Sequence, residues 1–377
     1  MQNNLTLKSF FMGGFECADH INRSGVRINL QKETLHHIKV FEDYKALKNI
    51  GINVVREGVC WSSVEVAPYK FDFTEVKSFL KAASCLDIQI IWDLCHFGYP
   101  DGLFPTHPQF IDRFVAFCEQ FAIFYYENSQ QALWLVPFNE ISFLSWHSGD
   151  MRGTVPFAVN SGWDIKYHLC RAAILGIKAI RAILTDTVIL AIEPLVKVHP
   201  AYDNVELTEV AKINNFQFQA MDIIMGRECP ELGGNESLLD MLGFNYYYNN
   251  QWKQNNEILP WPDLNGSLTP LSELLLTAQK RYNLPILLAE TGHFGSLRVL
   301  WLKEVVTECL KAINLGVDLR GMCIYPVIDR PDWDDLTSFS NCGLWDMDCN
   351  GNRIAFVPYI QELLKGQILF KKTFSSN

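Results

Sequence analysis

Short, nearly continuous apolar runs alternate along this chain with stretches whose apolar residues recur mostly every three or four positions. Eight of the runs read as strands: Phe10–Phe15, Asn53–Cys60, Ile88–Leu94, Leu133–Phe138, Val188–Ile192, Met241–Tyr246, Pro285–Ala289 and Gly321–Tyr325. Strands apolar along their whole length are those covered on both faces, as in a parallel sheet layered with helices. The gaps between them carry the helical patterns. In Trp163–Leu184 the apolar stripe is Ile165, Leu169, Ala172, Leu175, Ile177, Ile180 and Leu184. A second helix is expected over Pro108–Tyr126, with Pro108 near the first turn. A third starts near Ser296, where Leu297, Leu300 and Val305 alternate with Lys303, Glu304 and Glu308. Strand–helix units at a mean spacing of about 45 residues predict an α/β fold, a single (β/α)8 TIM barrel spanning residues 1–377 as one domain. The alternative is an open doubly wound sheet, but no Gly-x-Gly-x-x-Gly follows the first strand.

Composition narrows the classes of partner. The 377 residues are 49% hydrophobic, enough for one large core, and the formal net charge is -10. An acidic chain without a basic block is a poor match for nucleic acid or an anionic membrane. The opening Met1 to Lys8 carries neither a basic segment nor a long apolar run, so no signal peptide is expected, and no membrane span stands out elsewhere. The eleven cysteines are scattered singly, several inside apolar runs (Cys85, Cys118, Cys309). That pattern predicts reduced, buried thiols in a cytoplasmic protein, without disulfides or a structural zinc. No cofactor is implied.

Polar residues gather where the predicted strands end. The second ends near Arg56 and Glu57, and the third runs into Asp93, Cys95 and His96. The fourth ends at Asn139-Glu140, the sixth at Asn245-Tyr246-Tyr247 and the seventh at Glu290-Thr291-Gly292-His293. The eighth leads to Asp329, Asp332, Trp333, Asp334 and Asp335. In a barrel these ends meet on one face, where active sites are built. Glu140 and Glu290, far apart in sequence, would then face each other across the barrel mouth. Two opposed carboxyl groups suit glycoside hydrolysis, one attacking the anomeric carbon and the other protonating the leaving oxygen. Taken singly, an Asn-Glu dipeptide is a chance event, and Glu290 could equally be an acid near a helix start.

The same residues resemble the family 1 glycoside hydrolases, the β-glucosidase and β-galactosidase group within clan A of the barrel glycosidases. The likeness runs through nearly the whole chain in the same order. Pro137-Phe138-Asn139-Glu140 is similar to the family's Thr-Phe-Asn-Glu, which carries the acid/base. Leu288-Ala289-Glu290-Thr291-Gly292 is similar to Ile-Thr-Glu-Asn-Gly, which carries the nucleophile. Leu94 to Pro100 resembles the His-Trp-Asp-Leu-Pro segment, whose His, here His96, binds a sugar hydroxyl. Val55-Arg56 with Trp61-Ser62 resembles the second-strand Arg and its following Ser-Trp-Ser. Gly243 to Tyr247 resembles Gly-Ile-Asn-Tyr-Tyr, which brings in Asn245 and makes Tyr247 the residue bonded to the nucleophile. The stretch from Tyr325 through Trp333, then Gly343-Leu344 and Asp346-Met347-Asp348, resembles the C-terminal Trp-Ser-x-x-Asp-Asn-Phe-Glu-Trp block. Tyr325 would replace the platform Trp, and Asp332 and Trp333 the pair that grips the outer hydroxyls.

The resemblance implies a retaining β-glycosidase acting on a carbohydrate, with Glu140 as acid/base and Glu290 as nucleophile. Arg56, His96, Asn139, Asn245, Tyr247, Tyr325, Asp332 and Trp333 would bind substrate or hold the pair in place. Transglycosylation by the same residues and a silent sugar-binding protein on the same scaffold are the alternatives. Departures from the family pattern are Thr291, Ala289 and the short Asp332, and the first-strand Gln has no match unless Glu16, Asp19 or His20 fills its space. Arg56 is expected beneath the nucleophile, or else paired with Glu57 or Asp93. His293 would line the leaving-group side or cap the next helix. Trp134, Trp146, Trp163, Trp252 and Trp261 are either sugar platforms or packing residues. A metal shell from His96, His293, Glu290 and Asp93 lacks the usual His spacings, so no metal is expected.

Overall fold

The computed structural model describes residues 5–202 and 207–374; residues 1–4 of the opening segment read above for a signal peptide lie outside the described residues. Eight parallel strands close into a barrel. They are β1 Phe11–Gly14, β2 Val54–Gly58, β3 Gln89–Asp93, β4 Trp134–Val136, β5 Val188–Pro194, β6 Met241–Asn245, β7 Ile286–Thr291 and β8 Leu319–Ile324. Each strand pairs with its neighbours in sequence, and β8 returns to β1 through Phe11 and Met322. The predicted strands coincide with these to within a few residues.

A helix follows each strand on the outside: α1 His36–Asn49, α2 Thr74–Leu86, α3 Phe110–Asn128, α4 Gly162–Ile183, α5 Gln219–Ile224, α6 Leu271–Tyr282, α7 Leu297–Asn314 and α8 Val357–Phe374. The three helices expected from periodicity are α4, α3 and α7. In α4 the stripe Ile165, Leu169, Ala172, Ile177 and Ile180 is fully buried, whereas Leu175 and Leu184 are only half-buried. Cys118 and Cys309 are buried as expected, but Cys85 is exposed: it lies in the last turn of α2, on the face opposite Val76, Phe79 and Ala83. No disulfide occurs among the described residues, and none of their helices is long and apolar enough to cross a membrane.

Two packed layers follow from the two-residue period of the strands. Outward residues such as Phe11, Val55, Trp92, Ile189 and Leu288 join the helices in one large cluster. Inward residues form a second cluster inside the barrel, with Met12, Val54, Ile91, Trp134, Leu190, Met241, Leu287 and Cys323, and Leu5 and Leu7 pack against it. Leu190, fully buried there, fixes the scale: truncation to Ala at such a site costs ~2–5 kcal/mol. This apolar plug fills the lower barrel, and the polar side chains named above lie beyond it at the C-terminal ends.

Candidate active site

The strand period decides which side chains enter the barrel mouth. Arg56 lies two residues beyond inward Val54, Asp93 two beyond Ile91, and Tyr325 two beyond Cys323, so all three continue an inward row. Glu290 is one residue beyond inward Ala289 and would point outward in a regular strand. The pairing of β7 with β6 shifts register between Leu288 and Glu290, and this irregularity turns Glu290 into the mouth. Thr291 instead faces the helices, where its Oγ1 accepts from Trp301 Nε1 at 2.8 Å. Glu140 follows β4 with φ +48°. That left-handed backbone is costly for a non-glycine residue and recurs at functional sites. Its carbonyl accepts from Leu144 N at 2.8 Å, opening the short helix Ile141–Gly149.

Glu290 is buried and held by both oxygens. Oε1 accepts from Arg56 Nη1 at 2.8 Å and Oε2 from the Tyr247 hydroxyl at 2.7 Å. Burial and the Glu290 charge push the Tyr247 phenol well up, so it keeps its proton and donates. Arg56, fully buried, also reaches Ala289 O at 2.8 Å, Asp93 Oδ2 at 2.5 Å and Asn139 Oδ1 at 3.2 Å. Burial works against an ionised Asp93, but Arg56 and His96 outweigh it and hold the carboxyl below its ordinary range. Glu57 takes no part: as the outward neighbour of Arg56 it bonds His36, Tyr44 and Gln31 behind the strand.

Glu140 sits in a different environment. It is half-buried, and the hydrogen bond recorded to its carboxyl is from Asn245 Nδ2 to Oε1, at 2.8 Å. Burial and then the Glu290 charge raise its pKa to about 8. Behind it at the end of β5, buried Glu193 accepts from Ser142 N at 3.1 and 3.2 Å, and burial pushes its own pKa up to about 7. Asn245 also donates to Asn139 Oδ1 at 3.3 Å, so Arg56, Asn139 and Asn245 link one carboxyl to the other. Asn139 Nδ2 is buried with no protein partner among the described residues. A buried donor left unpaired is costly, and this one is available to a ligand.

At one end of the mouth Glu16, His96 and Tyr325 form a tight group. The Tyr325 hydroxyl donates to Glu16 Oε1 at 3.2 Å and lies 3.2 Å from His96 Nε2, while His96 Nδ1 meets Asp93 Oδ2 at 3.1 Å. Glu16 also accepts from the backbone N–H of Cys17 and Ala18, each at 3.1 Å. Glu16, His96, Glu140, Tyr247, Glu290, Tyr325 and Trp333 all line one cleft of about 860 Å³.

A solved family 1 β-glucosidase from Thermotoga maritima superposes on the chain with a TM-score of 0.77 at 15% identity, covering 97% of this chain and 98% of that one. The chain shares the fold of family 1 β-glucosidases. The β-glucosidase of the same organism in complex with castanospermine gives 0.77 at 15% identity over 96% and 98%, and its complex with isofagomine lactam 0.74 at 16% over 89% and 88%. No family model matches the chain, and no curated protein matches it in sequence.

Within this β-glucosidase-like fold, several sequence expectations need correction. Asp332 does not reach the cleft: it is exposed, and its Oδ1 accepts from Asp334 N at 2.8 Å and Asp335 N at 3.2 Å, closing a surface turn. Asp334 and Asp335 are likewise exposed, and Asp329 is buried against Cys342. Arg330 takes the place at the wall instead, with Nε 3.4 Å from Glu16 Oε2 and its guanidinium near the Trp333 ring. Its signal in the sequence was only its position five residues after the end of an inward row. Of the candidates for the missing first-strand Gln, Glu16 faces the cleft, Asp19 accepts from Ser62 Oγ at 2.5 Å, and His20 packs edge-on to Trp333. Burial lowers the His20 pKa to about 3, so its ring is neutral.

Among the tryptophans, Trp146 and Trp252 line the cleft. Trp134 is inside the barrel, Trp163 is exposed on α4, and Trp261 packs on Trp301. His293 lines the cleft beside Tyr248 and Phe294, and it does not join Asp93 and His96 in a group of metal-sized spacing among the described residues. Cys17, Asp93 and His96 do bring ligand atoms within 4.8 Å of one another. Asp93 Oδ2 is already shared by Arg56 and His96, and the buried guanidinium supplies the positive charge an ion would bring.

Proposed function

We propose that the protein is a retaining β-glycosidase in which Glu290 is the nucleophile and Glu140 the acid/base. The observation that carries this reading is the contrast between two carboxyls on one cleft. Glu290 is clamped in one orientation by Arg56 and Tyr247, and Glu140 is pushed up to about 8 with Asn245 as its hydrogen-bonding neighbour. Pushing the pKa values of neighbouring acids apart assigns one as base or nucleophile and the other as proton donor.

A Glu290 oxygen attacks the anomeric carbon while Glu140 gives its proton to the departing glycosidic oxygen. The covalent ester removes the Glu290 charge, which lets Glu140 ionise and take a proton from the incoming water. That water attacks the same carbon from the face the leaving group left, so configuration is retained. Asn139 Nδ2, the unpaired buried donor, would meet the sugar 2-hydroxyl, a contact that strengthens as the oxocarbenium-like transition state forms. Arg56 has no role in proton transfer; its hydrogen bond holds Glu290 aimed at the anomeric carbon.

Trapping with 2-deoxy-2-fluoro β-glycosyl fluorides tests the assignment. A covalent adduct mapped by mass spectrometry to Glu290 is expected, with Glu290→Gln inactive and Glu140→Ala still labelled when the leaving group is fluoride. An adduct on another residue, or sugar binding without any turnover, overturns it.

A further inference from the structure

Beyond the carboxyl pair the cleft opens into an outer chamber with an apolar wall. Trp146, Ile213, Phe216, Ile258 and Phe294 come from separate segments following β4, β5, β6 and β7. They are 37% to 58% exposed, and all face the same cavity. Single exposed apolar residues are ordinary on a protein surface, but convergence on one cavity marks a binding surface.

Several polar side chains along this wall are already engaged, while Ser142 Oγ is buried without a partner among the described residues. Gln217 accepts from Val196 N at 3.0 Å and donates to Asn214 O at 2.7 Å. Asn250 donates to Leu195 O at 2.9 Å, and Lys166 donates to Gln219 Oε1 at 3.2 Å. A second sugar entering here would give up water at the hydroxyls that meet the apolar wall, which is unfavourable. A hydrocarbon gives up nothing. Ring planes at the wall are tilted to each other, 46° for Phe143 and Trp146 and 42° for Tyr248 and His293, so they form no parallel slot for a flat group. A flexible chain can follow such a surface. The volume of about 860 Å³ exceeds what one pyranose fills and lies high in the ~300–1,000 Å³ range of small-molecule sites.

We propose that the outer chamber binds an extended hydrocarbon aglycone, making the preferred substrates β-glycosides of long-chain alcohols rather than oligosaccharides. This rests on the glycosidase reading above. Complete burial of a methylene is worth about a fourfold factor. In an open chamber about half of that free energy is expected, or about twofold per carbon. The gain falls mainly on KM, because the chain contacts are the same before and during bond cleavage.

The test is kcat/KM for n-alkyl β-glucosides from ethyl to octyl, below their micelle concentrations, beside β-glucosyl fluoride and cellobiose. These alkoxide leaving groups are alike, so the series isolates binding. A rise of roughly sixtyfold from ethyl to octyl is expected, with octyl glucoside preferred to cellobiose. In the double variant Phe216→Ser, Ile258→Ser the octyl-to-ethyl ratio should fall at least ~fivefold. Turnover of the fluoride with a flat alkyl series, or a preference for cellobiose, overturns the hydrocarbon site and leaves the carboxyl assignment standing. Failure to turn over the fluoride, with Glu290 unlabelled by the fluorosugar, overturns the assignment and this inference with it.

Discussion

Replacing Glu290 by Gln should change the proton affinity of Glu140, a residue on a different strand. In the intact protein burial and the Glu290 charge together raise Glu140 to about 8. Gln keeps the volume and most of the burial, and removes the charge. For a retaining pair about 5 Å apart, the repulsion at an effective dielectric constant of ~20 is ~3 kcal/mol. That is a factor of about 100 in proton affinity. Glu140 in Glu290→Gln should therefore titrate near 6, and its protonated share at pH 7 should drop from about nine in ten to about one in ten. The sign follows from the acid's role: a raised pKa keeps the proton available at neutral pH, and loss of the opposing charge releases it. Carbon-13 NMR of protein labelled at the glutamate carboxyl reports this directly, with Glu140→Gln identifying the resonance. A transition that stays near 8 in Glu290→Gln would mean that the two groups do not sense each other, and the proposed division of labour would fall.

Other consequences follow from particular contacts. A Cβ at Gly14 would overlap the Tyr325 ring; Gly14→Ala should cost ~1–3 kcal/mol, lower Tm, and raise KM because Tyr325 and its partners Glu16 and His96 must move. Asn139→Ala should reduce kcat/KM by about 10²–10³ on an ordinary glycoside, yet far less on its 2-deoxy counterpart; equal losses on both would remove Asn139 from the 2-hydroxyl. Outside the site, His36 bonds Asp43 Oδ2 at 2.8 Å and Glu57 Oε2 at 2.9 Å. Burial opposes its charge, but the two carboxylates outweigh burial and raise its pKa from 6.5 to about 9. Its stabilisation is therefore complete below 6.5 and lost as pH rises through about 9. Melts of wild type and His36→Gln should differ by ~3 kcal/mol at pH 6 and converge above pH 9; a gap that does not depend on pH refutes a charged His36.

Much of this protein was written in one dimension. Apolar runs at regular spacing define the strands, and a chain of alternating strands and helices whose strands are covered on both faces has few ways to close, so the barrel follows. Barrel closure in turn brings the strand ends together, which is why Arg56, Asn139, Glu140, Asn245, Tyr247 and Glu290 could be named from position. What tertiary structure alone decided was orientation. Glu290 faces the mouth only because β7 and β6 slip in register between Leu288 and Glu290, and no local pattern announces that slip. Asp332 and Arg330 differ by two residues on the same loop, yet one closes a surface turn and the other reaches the wall. The hydrocarbon-lined chamber is assembled from residues on separate loops after four different strands. A side chain's period along a strand is a local property of the backbone, and sequence carries it; where a loop lays down its residues depends on every element it packs against, and only the folded chain fixes that.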